Sequence, residues 1–246
     1  YALLIGFPIV LNFVELASSM KGRDSFKTRV NDYIFDNFIV KIVDGALPIS
    51  NLLMDYYKRF SPSKPSLKLP IICDFDKFDP QWKTGSDVTF LYCGAASYTE
   101  LIVFIIDSFD KLKDIQEHIH LKLVLGGSKS QLNRVREKIG NAYNKDRIKL
   151  IGNVPHKQIP EYFSSATALL IPLRPTVQDA ARFPHKIGEY LASGRVMITT
   201  RFGEINNYDF NDEENTLIAE KYDTSAFAEK MKYVIENPVK AKEIGQ

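Results

Sequence analysis

The sequence predicts an α/β fold, a parallel sheet covered by helices on both faces and preceded by part of a second, smaller lobe. Three observations carry this. From Asp87 onward, apolar runs of strand length alternate with longer amphipathic stretches and short punctuation. A Pro, Ser and Lys-rich stretch, "SPSKPSLKLP", interrupts the chain between the first segment and that repeating region. The length of 246 residues suits two lobes, each able to bury its own core.

In order, "YALLIGFPIV" reads as a buried strand, too short to span a bilayer and without the basic flank of a signal segment. A chain that opens in mid-strand resembles an excised piece of a longer one. Arg23 to Phe38 has helical patterning, and Ile39 to Val43 then reads as a strand ending in an Asp44-Gly45 turn. Ser50 is placed to cap the helix "NLLMDYYKRF", its hydroxyl meeting a free backbone N–H. The connection between the lobes falls between Ser61 and Ser86.

Beyond it, "DVTFLYCG", "LKLVLGG", "IKLIGNV", "TALLIPL" and "VMITT" read as strands. Between and after them, "ELIVFIIDSFDKLKD", "SQLNRVREKIGNAY", "QIPEYFSSA" and "SAFAEKMKYVIEN" read as helices. A further helix begins near Pro184, stops at Gly194 and feeds the strand Val196 to Thr200. This β-α order gives a Rossmann-like parallel sheet, whose ligands collect at the carboxyl ends of its strands.

Composition narrows the function. Charged residues make up 25% of the chain at a net charge of only +2, which excludes a surface built to coat nucleic acid. Cys73 and Cys93 lack CxxC spacing and read as packed thiols of a reducing compartment. His118 and His120 have no ligand partner at metal spacing, and Asp74, Asp76 and Asp79 lack the Gly and closing Glu of a calcium loop. Neither GxGxxG nor a P-loop is present.

The segment "RFPHKIGEYLASGRVMITTRFGEI" carries the most chemistry. A helix opened by Pro184 leaves the N–H groups of His185 and Lys186 facing outward, an anion site to which Lys186 and Arg182 add charge. Glu189, one turn on, can accept hydrogen bonds from sugar hydroxyls beside an anchored phosphate, and phosphate beside polyol describes a nucleotide. A solvated Lys–Glu pair on a surface helix is the alternative. His185 fits a phosphate donor, a general acid or a capping residue. Gly94 and Gly126-Gly127, at strand ends, fit close ligand approach or ordinary turns.

These blocks together resemble a group 1, family 4-like retaining glycosyltransferase of the two-lobed GT-B fold. "DGALPISNLLMDYY" is similar to the end of the acceptor lobe and "LPIICDFDKFDP" to the linker. "FLYCG", "LKLVLGG", "IKLIGNVPHKQIPEYFSSATALLIPL" and "FPHKIGEYLASGRVMITTRFGEI" resemble the donor lobe in order. The resemblance implies a partial, truncated N-terminal acceptor lobe over 1–69, a linker over 70–85 and a C-terminal nucleotide-sugar donor domain over 86–246. It implies transfer from a UDP- or GDP-linked sugar to a glycan or lipid-linked acceptor, in polysaccharide biosynthesis, without a metal or further cofactor. The location implied is cytoplasmic, with peripheral association at the inner face of the membrane.

By the same resemblance Glu189 holds the donor ribose, and His185 and Lys186 face the diphosphate. Asn153 and Val154, after Gly152, lie beside the base; Gly94 and Gly126 lie near the donor. Ala181 stands where members carry a second glutamate, leaving Asp179 or Arg182 as substitutes, and no Arg–Lys pair follows Gly94. Arg174, Arg182 and Lys186 then supply the charge that stabilises the leaving diphosphate. The alternatives are a non-catalytic nucleotide-sugar binder and a GT-B epimerase.

Overall fold

A run of buried aliphatic strands organises the larger part of the molecule. In this computed structural model, residues 6–20, 25–78, 87–115 and 118–246 are described. Tyr1–Ile5, Arg23 and the connection residues 79–86, Asp79 among them, on which expectations above were placed, lie outside them. The chain forms two compact units. The first comprises residues up to Ile72 with Pro175–Pro184 and Phe202–Tyr208; the second holds Cys73–Arg174, His185–Arg201 and Asp209–Gln246.

In the first unit, β1 (Val10–Phe13) pairs in parallel with β2 (Gly45–Pro48), Val10 opposite Gly45. Of the opening segment, residues 1–5 lie outside the described residues; among those described, pairing begins at Val10, itself 56% exposed, and Phe13 is the buried residue of β1. α1 (Phe26–Ile34) starts at Ser25, whose hydroxyl accepts the Thr28 N–H. It runs into a wide π turn over Phe35–Ile39 and then α2 (Val40–Ile42). The expected strand Ile39–Val43 is therefore the end of a helix. Its β-branched residues favour strand locally, but helical spacing buries Val40 and Val43 together, and burial outweighs propensity. Asp44 is not a turn but the entry to β2, its carboxylate accepting the Ile9 N–H at 2.7 Å.

α3 (Asn51–Phe60) is capped by Ser50 as expected. The Ser50 hydroxyl accepts the Leu53 N–H and donates to the Ala181 carbonyl at 2.7 Å. Buried Glu204 completes this helix start: it accepts the Asn51 N–H at 2.7 Å and pairs with Lys68 at 3.0 Å.

The second unit is a six-stranded, all-parallel sheet. Its strands are β3 (Val88–Ala95), β4 (Ile119–Gly126), β5 (Ile148–Gly152), β6 (Ala168–Ile171), β7 (Val196–Thr200) and β8 (Leu217–Ala219), in the order β5-β4-β3-β6-β7-β8. The connecting helices are α4 (Thr99–Asp110), α5 (Lys129–Gly140), α6 (Ile159–Ser164), α8 (Lys186–Ala192), α9 (Thr224–Glu236) and α10 (Pro238–Gly245). α7 (Val177–Ala181) belongs to the first unit. Strand alternation divides the core: Phe90 and Tyr92 join the cluster with Ile102, Ile105 and Phe227, so Leu91 and Cys93 face the opposite side. Among the described residues no helix is long and apolar enough to cross a membrane.

The order reverses beside β3. The chain steps outward from β3 to β4 and β5, then returns to β6 on the other flank, which makes β3/β6 the topological switch point. β3 pairs with β4 along its whole length but with β6 only at Phe90 and Leu91. Beyond Leu91 the two strands part, opening a crevice at their carboxyl ends.

Candidate functional site

The sheet register sets three glycine-bearing strand ends abreast. Gly94 lies opposite Leu125, Ala95 opposite Gly126, and Leu125 opposite Gly152. A Cβ on Gly94 would stand 2.4 Å from the Tyr92 hydroxyl oxygen, and one on Gly152 2.9 Å from Leu132 Cδ1, whereas Gly126 faces open space. A side chain at Gly94 would thus run into the Tyr92 ring, one at Gly152 would meet only the movable end of Leu132, and Gly126 keeps the edge open. Asn153 sits in the left-handed region at φ 54°. Its side chain clasps Gly127, accepting the N–H at 2.9 Å and donating to the carbonyl at 3.1 Å. Asn153 is spent on tying the β4 and β5 loops, leaving the backbone around Val154 as the part able to read a ligand.

α8 begins at Lys186, with His185 as an exposed N-cap that makes no side-chain cap bond and Pro184 one residue earlier. Gly194, at φ 65°, follows its end, as the sequence suggests. The helix is seven residues long, so its dipole is a small anion lure. Its side chains offer more. Lys186 Nζ is 2.6 Å from Glu189 Oε2, both half-buried, and stands 5.5 Å from the Phe163 ring centroid. His156, in the loop after β5, brings Nε2 within 4.0 Å of Glu189 Oε1.

Tyr190 locks this helix to the switch point. Fully buried, it accepts the Cys93 N–H through its hydroxyl at 3.1 Å, where β6 no longer supplies an acceptor. Burial pushes the Tyr190 hydroxyl well above its ordinary range. Burial also raises the Cys93 thiol, with Lys186 opposing and Glu189 adding to the rise. Cys73 is raised by burial and then by Glu189. Both thiols thus sense the α8 charges, which places Lys186 and Glu189 beside the end of β3.

Arg174 reaches the crevice from the β6 side. It is buried, with Nη1 3.6 Å from Glu100 Oε2 and its guanidinium 5.9 Å from the Tyr98 ring centroid. Tyr98 and Glu100 open α4, whose twelve residues present the positive end of a longer dipole at the same edge. Arg182 is placed differently: it pairs with fully buried Asp179 at 2.8 Å within the first unit, so the two candidate substitutes for the glutamate absent at Ala181 hold each other. The second unit therefore gathers Gly94, Gly126, Asn153, Val154, Arg174, Lys186 and Glu189 on its carboxyl edge or its α8 flank.

Residues 74–246, well over half of the chain, match the family model described as glycosyl transferases group 1. The chain belongs to that family. Among curated proteins none matches the sequence significantly. Solved structures similar to this group 1 chain include sucrose-phosphate synthase from Thermosynechococcus elongatus, at TM-score 0.77 and 17% identity over 98% of this chain and 61% of that one. HepE from Anabaena in complex with UDP and glucose matches at TM-score 0.74 and 12% identity over 100% and 66%. The trehalose 6-phosphate synthase of Burkholderia multivorans matches at 0.67 and 12% over 99% and 61%. These likenesses show the fold, and the six-stranded sheet is the Rossmann-like sheet of GT-B glycosyltransferase domains. The chain spans about three fifths to two thirds of the length of these structures.

Sequence reasoning for this group 1 chain missed His156, Tyr98, Tyr190 and Phe163, all of which touch the site residues. His156 falls two residues after Val154, so extending that loop reading would have reached it. Tyr190 carries no such signal, because only the parting of β3 and β6 makes its hydroxyl necessary.

Proposed function

We propose that the chain is the donor-binding part of a retaining, family 4-like glycosyltransferase that moves a sugar from a UDP- or GDP-linked donor to a glycan or lipid-linked acceptor. The observation that carries this is the Lys186–Glu189 pair on α8, held beside the end of β3 by Tyr190. Glu189 accepts the ribose hydroxyls, and Lys186 exchanges its carboxylate partner for the diphosphate. Arg174 and the α4 start add positive charge across the crevice, so charge developing on the leaving oxygen meets groups already in place. His185 donates to the diphosphate, and the Val154 backbone contacts the base. Leaving and attacking oxygens meet on one face of the sugar, and no protein nucleophile is required. The structure of HepE holding UDP and glucose supports this donor class.

Residues 1–69 then belong to the acceptor lobe, 70–85 to the linker and 86–246 to the donor domain. Exposed Phe26, Tyr33, Phe38 and Ile42 beside Lys27, Arg29 and Lys41 support peripheral association with the inner face of a membrane, in the cytoplasm, during polysaccharide synthesis. A second reading, a nucleotide-sugar binder without transfer, is favoured by Ala181 and by the Arg182–Asp179 pair. Incubation with UDP- and GDP-sugars and candidate acceptors decides. Free nucleotide with an α-linked product from an α-linked donor supports retaining transfer. Bound donor without nucleotide release supports the binder, and altered sugar configuration without acceptor identifies an epimerase.

A further inference from the structure

Lys186 takes one oxygen of the Glu189 carboxylate and leaves the other to a different element. Its Nζ sits 2.6 Å from Oε2, while Oε1 faces His156, whose Nε2 is 4.0 Å away. The two side chains differ in exposure: His156 is 84% exposed and Glu189 only 19%. The proposed donor chemistry uses Lys186 and Glu189 and leaves His156 without a role.

A stiff piece of chain sets where His156 stands. The clasp of Asn153 on Gly127 fixes the end of β5, and Pro155 restricts the next backbone angle. The Gln158 N–H then closes a tight turn on the Pro155 carbonyl at 2.9 Å, and buried Ile159 and Phe163 anchor α6. Backbone geometry thus holds an exposed imidazole beside a largely buried carboxylate.

We infer that His156 is a positioning residue for donor binding: protonated from water, it takes over as counter-ion of Glu189 when Lys186 turns to the diphosphate. The inference rests on the donor reading. Removing one partner of a buried ion pair is costly, and Lys186 cannot serve the carboxylate and a diphosphate equally. His156 already stands within ion-pair range of that carboxylate, and histidine changes charge between about pH 5 and 8. Cys73, Cys93 and Tyr190 also sense Glu189, but burial raises each of them, so they stay neutral over that range. Lys77, near Cys73, is paired with Asp74 at 3.1 Å. Lys157 and Glu161, which flank His156 along the chain, are exposed, and water screens them.

The test is calorimetric titration of the whole chain with UDP-glucose and GDP-mannose from about pH 5.5 to about pH 8, in buffers of differing ionisation heat. Nucleotide sugars are used because a diphosphate esterified at both ends carries no proton that titrates near neutrality. Affinity for at least one is expected to rise roughly threefold from the alkaline to the acid end, the scale of a solvent-facing ion pair, with net proton uptake. His156→Gln flattens the slope and abolishes the uptake, while His156→Lys, a fixed cation, keeps the acid-end affinity throughout. His185→Gln, at the other histidine near the diphosphate, weakens binding but keeps the slope. A flat profile in the unaltered chain, a slope that survives His156→Gln, or one lost with His185 instead overturns the inference and leaves the donor reading standing. Binding of neither nucleotide sugar at millimolar concentration overturns both.

Discussion

The hydroxyl of Tyr190 accepts the backbone N–H of Cys93 at 3.1 Å, at the point where β6 stops pairing with β3. One side chain thereby satisfies the donor that the crevice would orphan and fixes α8 against the sheet. Tyr190→Phe keeps the ring's edge-to-face packing on Phe163 but leaves that N–H buried and unmet. The expected loss is about 1–3 kcal/mol of stability, read by denaturant unfolding. An unchanged midpoint would contradict the bond's role.

Arg195 is buried at the turn from α8 into β7 and donates to the carbonyls of Ser164, Ser193 and Gly194. It thus covers the C-terminal carbonyls of two helices. Arg195→Met fills the space but strips those acceptors, and should lower stability by about 2–4 kcal/mol in the same experiment.

Burial raises both thiols, Cys93 most clearly because it lies inside the sheet. A group whose folded pKa lies above its unfolded value stabilises fully below the unfolded pKa, and that contribution is lost as pH rises towards the folded one. The melting temperature should therefore begin to fall above about pH 8.5, the ordinary thiol value. Cys93→Ala should flatten that onset; an identical alkaline slope in the variant would show that Cys93 is not its source.

Much of the fold is legible in the sequence because the second unit is locally consistent. Its strands are apolar runs such as "LVL" and "LLI", and Gly194 marks a helix end that the backbone requires. Ser50 is equally readable, since a cap needs only its own helix. Ile39–Val43 misleads because tertiary burial at Val40 and Val43 chooses helix over local strand preference. β8, three residues long, carries too little pattern to detect. In the site, Lys186 and Glu189 are visible through their i,i+3 spacing. The clasp of Asn153 on Gly127 and the pairing of Arg182 with Asp179 depend on folded geometry that spacing does not encode.

Lys186 is read as the phosphate partner and Glu189 as the ribose partner, so their substitutions should separate. Lys186→Met should weaken UDP or GDP by roughly tenfold or more while leaving the nucleoside's weaker affinity nearly unchanged, in calorimetric titration. Equal losses for nucleotide and nucleoside would remove the phosphate assignment.

The most direct measurement is thermal stabilisation of the chain by UDP, GDP, ADP, CMP and NAD, repeated with Glu189→Ala. The account predicts a shift with UDP or GDP that the variant largely loses, matching about 1.5–3 kcal/mol for hydrogen bonds to a charged group. A full shift retained in folded Glu189→Ala, or stabilisation by none of these nucleotides, would contradict it.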